Sequence, residues 1–478
     1  MPRRSSGKIQ SIAFVSLGCP KNLVDSERML GLLAADGLTV TSDAAKADAI
    51  VINTCGFLEA SKTESLGAIR EAIEQKTTGR CQRVIVAGCL VQRHKTKLLA
   101  DVPGVDRLVG VFDREHIVEA VRGQANPHQE QGHFLGKYHE LSKRAAELGT
   151  PNLPFEDDRA RLRLTPRHYA YLRISEGCNQ GCTFCTIPSI RGPMRSKPPE
   201  QILAEARELA ADGAVELNLI GQDTTSFGTD IGYGPGLSGL LRTLDRELKD
   251  VHWLRLMYAY PSCFTDEMIA AIAESDRVVK YIDMPLQHIN DQILTMMRRR
   301  VTRQQIETLL AKLRKTVPGI SIRTTFIAGS PGETDAQHAE LVQFVKDFGF
   351  DMMGVFPYSQ ESGTAMGRLD GQLPDAVKQS RVEELMLAQQ EVAFTRAAAM
   401  KGKKIEVLID RPAGRELEDG YVARSHAQAP DIDSVTFVKS STPLHPGQLL
   451  DVKVTDYQAY DLIAEVPLSK SRRLVVMK

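Results

Sequence analysis

Two long stretches of this chain alternate short, β-branched runs with amphipathic segments, and this alternation constrains the fold more than any other feature. The first stretch covers residues 10–123. Its runs Ser11–Ser16, Ala49–Thr54 and Arg83–Gly88 are continuously apolar, as expected for parallel strands that are buried on both faces. Amphipathic segments at 23–35 and 60–75 follow two of them. The pattern predicts a small open α/β domain.

The second stretch of alternation covers residues 166–400 and predicts a partial parallel barrel built from six βα units. A long helix is predicted at 375–400, closing this region. The segment between the two stretches, 124–165, is polar and rich in Pro, Gly and charge, which predicts a linker. Strand-like runs in the barrel region lie at 169–174, 215–221, 253–259, 278–284, 321–329 and 351–358, and helical patterns separate them.

The alternation of strand-like and helical segments stops in the last segment, residues 401–467. Short strand-like runs are separated there by turn signals, which predicts a small all-β barrel. The expected fold class is therefore α/β, with an open N-terminal domain, a partial (βα)6 barrel and a C-terminal β-barrel.

Composition excludes some classes of protein. The 478 residues include 60 Lys plus Arg and 60 Asp plus Glu, so the formal net charge is zero. This balance argues against nucleic-acid binding through overall charge, although it leaves a local basic patch open. The sequence lacks an apolar run of membrane-spanning length and a signal-peptide core, so we expect a cytoplasmic protein without a membrane partner. In a reducing compartment, eight cysteines indicate metal ligands or catalytic groups before disulfides.

One cysteine set directly follows the run at 169–174. Cys178, Cys182 and Cys185 have Cys-x-x-x-Cys-x-x-Cys spacing, and cysteine thiolates are the usual ligands of a 4Fe–4S cluster. Three ligands leave one iron open to a small molecule. A zinc knuckle or a structural cluster is the alternative, but the sequence offers no Cys or His between Cys185 and His252 as a fourth ligand. A loop at the carboxyl end of a barrel strand favours a catalytic site.

A second cysteine set is spread over the N-terminal region. Cys19, Cys55 and Cys89 each come just after one of the three predicted strands, at the edge where open α/β sheets bind ligands. We therefore predict a second cluster with an open iron, with buried thiols as the alternative. Cys81 and Cys263 lack such partners in the sequence, and we expect them to be structural.

Several strings carry a resemblance to a known family. EGCNQGCTFCTIP resembles the radical S-adenosylmethionine superfamily, and SLGCPKNLVDSE, NTCGF and AGCL extend the likeness to the methylthiotransferase family over nearly the whole chain. The resemblance implies two 4Fe–4S clusters, S-adenosyl-L-methionine as cofactor and a C-terminal TRAM domain. It implies that one S-adenosylmethionine methylates sulfur at the N-terminal cluster. A second is cleaved to a radical that activates the target carbon. An external electron donor and a sulfur source are implied as well.

The resemblance also assigns two residues outside the cysteines. Phe184 matches an aromatic position that lies beside adenine in the superfamily, with a core aromatic as the alternative. Gly329, in the string FIAGSPGET, would let the backbone approach S-adenosylmethionine, with a structural turn as the alternative. The sequence names no residue that positions the target carbon.

The substrate is predicted from the same strings and from charge. SLGCPKNLVDSE, NTCGF and IPSIRGPMRS resemble the family branch that modifies an aspartate β-carbon of small-subunit ribosomal protein twelve; the branch that modifies transfer RNA is the alternative. Residues 401–466 hold eight cations and eleven anions, a net charge of −3. That charge suits a basic protein better than RNA, so nucleic acid is not expected as the direct substrate. Solvated surface charge is the alternative explanation.

An electron-transfer or redox-sensing protein, with the barrel as a binding module, is the non-enzyme alternative. Two open-iron sites and six barrel units exceed what a sensor needs.

Overall fold

The structure, a computed structural model, describes residues 8–126, 132–147, 155 and 157–467. Its first sheet is parallel, with the strand order β2-β1-β3-β4-β5. The strands are β1 Ser11–Ser16, β2 Thr39–Val40, β3 Ala49–Thr54, β4 Arg83–Gly88 and β5 Arg107–Val109. The helices of this region are α1 Pro20–Ala35, α2 Glu59–Thr78, α3 Cys89–His94, α4 Leu98–Asp101 and α5 Ile117–Arg122.

Helices cover both faces of this sheet, which explains why its strands are continuously apolar. Along β3, Ala49 and Val51 belong to one core cluster, while Ile50 and Ile52 belong to a second cluster on the opposite face. Every residue of β3 is buried. The predicted open α/β domain is therefore present.

The segment predicted as a linker contains a helix, α6 Tyr138–Glu147. Phe134 is buried in the core of the first sheet and forms a bridge with Val109. The buried Asp158 carboxylate accepts hydrogen bonds from the Arg173 guanidinium of the next region. Residues 127–131, 148–154 and 156 lie outside the described residues.

The second sheet is parallel, with the order β13-β12-β11-β10-β9-β6, and forms the predicted partial barrel. Its strands, with a small hairpin β7-β8, are β6 Tyr169–Arg173, β7 Ser175–Glu176, β8 Arg195–Ser196, β9 Glu216–Ile220, β10 Trp253–Leu256, β11 Val278–Asp283, β12 Ser321–Ala328 and β13 Met352–Pro357. The helices are α7 Ile187–Arg191, α8 Pro199–Ala211, α9 Gly236–Glu247, α10 Asp266–Glu274, α11 Asp291–Met296, α12 Arg303–Thr316, α13 Asp335–Phe348 and α14 Asp375–Met400.

Successive side chains of the barrel strands point alternately to the outer face, which the helices cover, and to the inner face. In β6, Ala170 and Leu172 pack into the large apolar cluster formed with the helices. Tyr169 and Tyr171 point to the other face and join a separate cluster with Trp253. The inner face of the barrel is thus lined by aromatic side chains that are separate from the apolar cluster beneath the helices.

The C-terminal region is a closed, mostly antiparallel barrel with the strand order β14-β15-β16-β18-β17. Its strands are β14 Lys404–Pro412, β15 Gly420–Ser425, β16 Thr436–Lys439, β17 Leu449–Gln458 and β18 Asp461–Glu465. Inward side chains such as Val407, Val438 and Val452 form its core. The predicted all-β barrel is confirmed.

This small barrel is docked against the inner face of the large one. Leu408 and Ala429 pack with the tyrosines of the inner face. The Tyr281 hydroxyl donates to the Asp433 carboxylate at 2.8 Å, and the Arg323 guanidinium donates to the same group at 3.2 Å. Docking therefore rests on a buried polar network as well as on apolar contact.

Docking also changes the charge that a partner would meet. Arg424 and Asp433 have side chains only 3% and 1% exposed, and Asp410 pairs with Arg424 at 2.8 Å. These three groups face the interface. Without them the small barrel presents seven cations against nine anions, a smaller excess than the sequence count indicates.

Within the described ranges, none of the helices combines the length and the apolar character needed to span a bilayer.

Candidate active site

The loop with Cys178, Cys182 and Cys185 follows β6 and the short strand β7, as predicted. Its entry requires glycine. Gly177 has φ +79°, and a Cβ there would lie 2.2 Å from the Pro193 carbonyl oxygen. The hairpin β7-β8 therefore brings Gly177, at the start of the loop, into contact with Gly192 and Pro193, which follow the loop.

The three thiols of this loop are free and close enough to interact electrostatically. Burial raises the pKa of Cys178 to about 11 and that of Cys185 to about 12. Such thiols ionise only when a cation stabilises the thiolates, which is what cluster irons supply on binding. Among the described residues no three potential ligands surround a single metal ion.

Polar groups from the barrel surround the loop. Cys182 Sγ lies 3.6 Å from the Tyr260 hydroxyl and 3.6 Å from Arg299 Nη1. Gln180 Nε2 donates to the Asp223 carboxylate at 2.6 Å and to Cys263 Sγ at 3.4 Å. Cys263, expected to be structural, thus lies beside the loop. The site combines thiols with one buried cation and one buried carboxylate.

The structure brings Cys19, Cys55 and Cys89 together at the carboxyl edge of the first sheet. A Cβ at Gly18 would lie 2.8 Å from Cys55 Cβ, so the turn before Cys19 touches Cys55. Burial, opposed by Arg191 and aided by the charges of Cys19 and Cys55, raises the pKa of Cys89 to about 12. The donor set, one buried thiol and two partly buried ones, fits an iron–sulfur cluster by the same argument as the first loop.

One arginine connects the two cysteine sets. Helix α7 begins two residues after Cys185 and ends at Arg191. Arg191 Nη2 donates to Cys89 Sγ at 3.2 Å and to the Asp25 carboxylate at 2.9 Å. The loop of one set therefore leads directly to a thiol of the other, which places both sets at the same junction between domains.

A buried ionic network fixes this junction. Asp25 of α1 accepts hydrogen bonds from Arg114 at 2.5 Å, Arg173 at 2.6 Å and Arg191 at 2.9 Å. Glu176 accepts from Arg173 and Arg191. Burial acts to raise the pKa of Glu176, but Arg191 and Arg173 outweigh it and hold that pKa well below its usual range.

We expect Asp25→Ala to destabilise the protein by about 3–5 kcal/mol, because it leaves three buried guanidinium groups without a shared partner. Chemical unfolding with urea measures the loss. The matched control is Glu307→Ala, which removes a half-exposed partner of Arg303 and should cost about 1 kcal/mol or less. Equal losses for the two variants would contradict the importance of the network.

Phe184 and Gly329, the other predicted site residues, lie in different settings. Phe184 is partly buried and packs beside Met297, Tyr358 and Met366. Gly329 has φ +80°, and a Cβ there would lie 2.5 Å from Lys378 Cγ. Its N–H donates to the Glu333 carboxylate at 2.9 Å. Glycine at 329 is thus explained by backbone conformation and helix contact, and its role toward the cofactor stays a prediction.

Comparison with known proteins places the chain in a family. It is 40% identical to the ribosomal protein uS12 methylthiotransferase RimO of Trichlorobacter lovleyi over 457 residues, covering 96% of this chain and 98% of the relative. Proteins of the same name from Geotalea uraniireducens and Geobacter sulfurreducens are each 41% identical with the same coverage. The chain belongs to the RimO family. Membership makes it an enzyme of the radical SAM methylthiotransferase class.

Family models divide the chain as the fold does. Uncharacterized protein family UPF0004 matches residues 11–110, the radical SAM superfamily matches 172–345, and the TRAM domain matches 402–466. The radical SAM methyltransferase TsrM from Kitasatospora setae has the same general fold. Its two structures give TM-scores of 0.51 and 0.54 at 15% and 16% identity, covering 75% and 76% of this chain and 77% and 75% of theirs.

Sequence reasoning missed several residues at this RimO-family site. Lys21 and Arg191 lie inside the quoted strings SLGCPKNLVDSE and IPSIRGPMRS, but the strings give no sign of their contacts. Tyr258, Tyr260 and Arg299 carry no local signal, because only the barrel brings them to the cysteines.

Proposed function

We propose that this chain adds a methylthio group to the β-carbon of an aspartate in small-subunit ribosomal protein uS12. The observation that carries the proposal is the identity of about 40%, over 96% of the chain, to relatives named for that reaction. The shared junction of the two cysteine sets supports it, since methylthio transfer needs carbon activation and sulfur supply close together.

In this proposal each cysteine set holds one 4Fe–4S cluster. Cys178, Cys182 and Cys185 hold the cluster that binds S-adenosylmethionine, and Cys19, Cys55 and Cys89 hold the second. With S-adenosylmethionine bound, the two clusters supply a carbon-centred radical and a methylated sulfur, given an external electron donor and a sulfur source.

The protein's own groups orient and shield these centres. Arg299 and Tyr260 stand beside Cys182, and Arg191 donates to Cys89, so each set has a cation at a thiolate. Charge-assisted hydrogen bonds of this kind stabilise anionic sulfur. We assign Phe184 to the adenine contact, and Gly329 to the backbone near the cofactor. We place the functional units at 10–123, 166–400 and 401–467, joined by 124–165.

Anaerobic reconstitution with iron and sulfide tests the proposal. The holoenzyme is incubated with S-adenosylmethionine, a reductant and either uS12 or transfer RNA, and both are analysed by mass spectrometry. We expect one methylthio group on a uS12 aspartate and none on a nucleotide. A methylthio group on RNA, with unmodified uS12, would support the transfer RNA alternative instead.

We expect salt and charge reversal to weaken uS12 binding, because exposed anions on the small barrel attract a basic protein. Glu416 pairs with Arg411 at 2.8 Å, which leaves Glu418 and Asp419 as the freer exposed charges of that turn. Reversal of both to Lys should lower the association rate several-fold, and raising the salt should do the same. Binding kinetics at two ionic strengths measure the effect.

The matched control reverses Glu267 and Asp276, which are exposed on the outside of the large barrel. It should change the association rate little. If both pairs have the same effect, the small barrel contributes no specific attraction.

A further inference from the structure

Lys21 is a buried cation without a carboxylate partner among the described residues. It is 7% exposed, and its ammonium lies 3.2 Å from the centroid of the Tyr258 ring. Among the described residues no carboxylate forms an ion pair with it. The nearby buried cations differ: Arg173 pairs with Asp25, and Lys197 pairs with Asp158. The ionisable groups that face the ammonium are instead Tyr258 and the Cys19 thiol. Since buried charges are normally paired, the missing carboxylate at Lys21 points to an anionic ligand.

The position of Lys21 in its helix is also unfavourable without a ligand. Helix α1 begins at Pro20, so Lys21 lies in the first turn, which contains no acidic residue. The helix dipole is positive at this end and disfavours a cation there. An anion would be stabilised by both the ammonium and the helix end.

The ammonium lies at one end of a segment that connects the two cysteine sets. Lys21 follows Cys19 by two residues and reaches Tyr258, in the loop after β10. Two residues further along that loop, Tyr260 places its hydroxyl 3.6 Å from Cys182 Sγ. The segment from Tyr258 to Tyr260 therefore runs from one cysteine set to the other, with Lys21 at one end.

We propose that Lys21 binds the side-chain carboxylate of the target aspartate, an inference that rests on the proposed function. The β-carbon is bonded directly to the carboxylate carbon, so an ion pair at Lys21 would hold that carbon between the two sets. An ammonium has three N–H donors, and the tyrosine ring occupies one side only. Lys21 is thus a positioning residue that selects an acidic side chain.

The test compares two substrates with two enzymes. Full-length uS12 and a uS12 variant with Asn at the modified aspartate are each incubated with wild-type holoenzyme and with Lys21→Met. We expect the wild type to prefer the aspartate by roughly 10–100-fold in kcat/KM, the usual size of a lost charged hydrogen bond. In Lys21→Met the preference should fall to a few-fold, and Lys21→Arg should restore most of it.

Other readings of Lys21 give different results. If Lys21 only balances the charge of the N-terminal cluster, Lys21→Met shifts the cluster's reduction potential and leaves the aspartate preference unchanged, which overturns the inference. If Lys21→Met loses iron, Lys21→Gln with normal iron content provides the comparison. A wild-type enzyme that leaves uS12 unmodified would refute the proposed function itself, whereas a preference unaffected by Lys21 would refute this inference alone.

Discussion

Replacement of Cys178, Cys182 and Cys185 by Ala together is expected to abolish 5′-deoxyadenosine formation. The loop would lose every thiol that holds the cofactor-binding cluster, while the N-terminal set would keep its own. Iron content should fall from about eight to about four per chain, since each cluster holds about four irons. Iron analysis and chromatography of the products measure both outcomes.

The control for this triple variant is Cys81→Ala. Cys81 is buried, and its thiol donates to the Arg83 carbonyl oxygen, away from both sets. Its replacement should leave the iron content at about eight per chain. Continued S-adenosylmethionine cleavage by the triple variant, or loss of all iron, would count against the assignment.

Replacement of Cys19, Cys55 and Cys89 by Ala should separate the two halves of the reaction. In the proposed function, radical formation depends on the other set, so 5′-deoxyadenosine should still appear when reductant is present. Methylthio transfer to uS12 should stop, because the chain would lack the thiols that we propose hold the second cluster. Parallel measurement of deoxyadenosine and of modified uS12 shows the separation.

Two results would contradict the second-cluster assignment. One is a methylthio group on uS12 formed by this triple variant. The other is a wild-type protein that binds only about four irons after full reconstitution. The Asp25→Ala variant helps interpretation, since it disturbs the same junction while leaving all six thiols in place.

Local signals predicted much of the fold. Helices α12 and α13 each begin after a capping box, formed by Thr302 with Gln305 and by Thr334 with Gln337, which are local sequence signals for a helix start. The strands β1, β3 and β4 also have the predicted bounds, since continuous apolar runs flanked by polar residues define them. Because Cys19, Cys55 and Cys89 each follow one of these strands, the strand bounds also predicted the sheet edge at which the three cysteines meet.

Contacts between distant residues could not be predicted in this way. Arg191 and Asp25 are 166 residues apart, and Arg191 and Cys89 are 102 apart. No local pattern indicates which buried arginine meets which carboxylate. The net charge counted from the sequence of the small barrel included groups that docking buries. Asp433, for example, accepts a hydrogen bond from Tyr281, which is 152 residues away, and no local pattern indicates that contact.

Our proposal is that one chain activates a carbon and supplies the sulfur group that is added to it. It is tested most directly with S-adenosylmethionine that carries a fully deuterated methyl group. We predict that uS12 gains one methylthio group with the deuterated methyl on an aspartate, and that one 5′-deoxyadenosine forms for each group added. Unmodified uS12, an unlabelled methyl group, or product without matching deoxyadenosine would contradict the account.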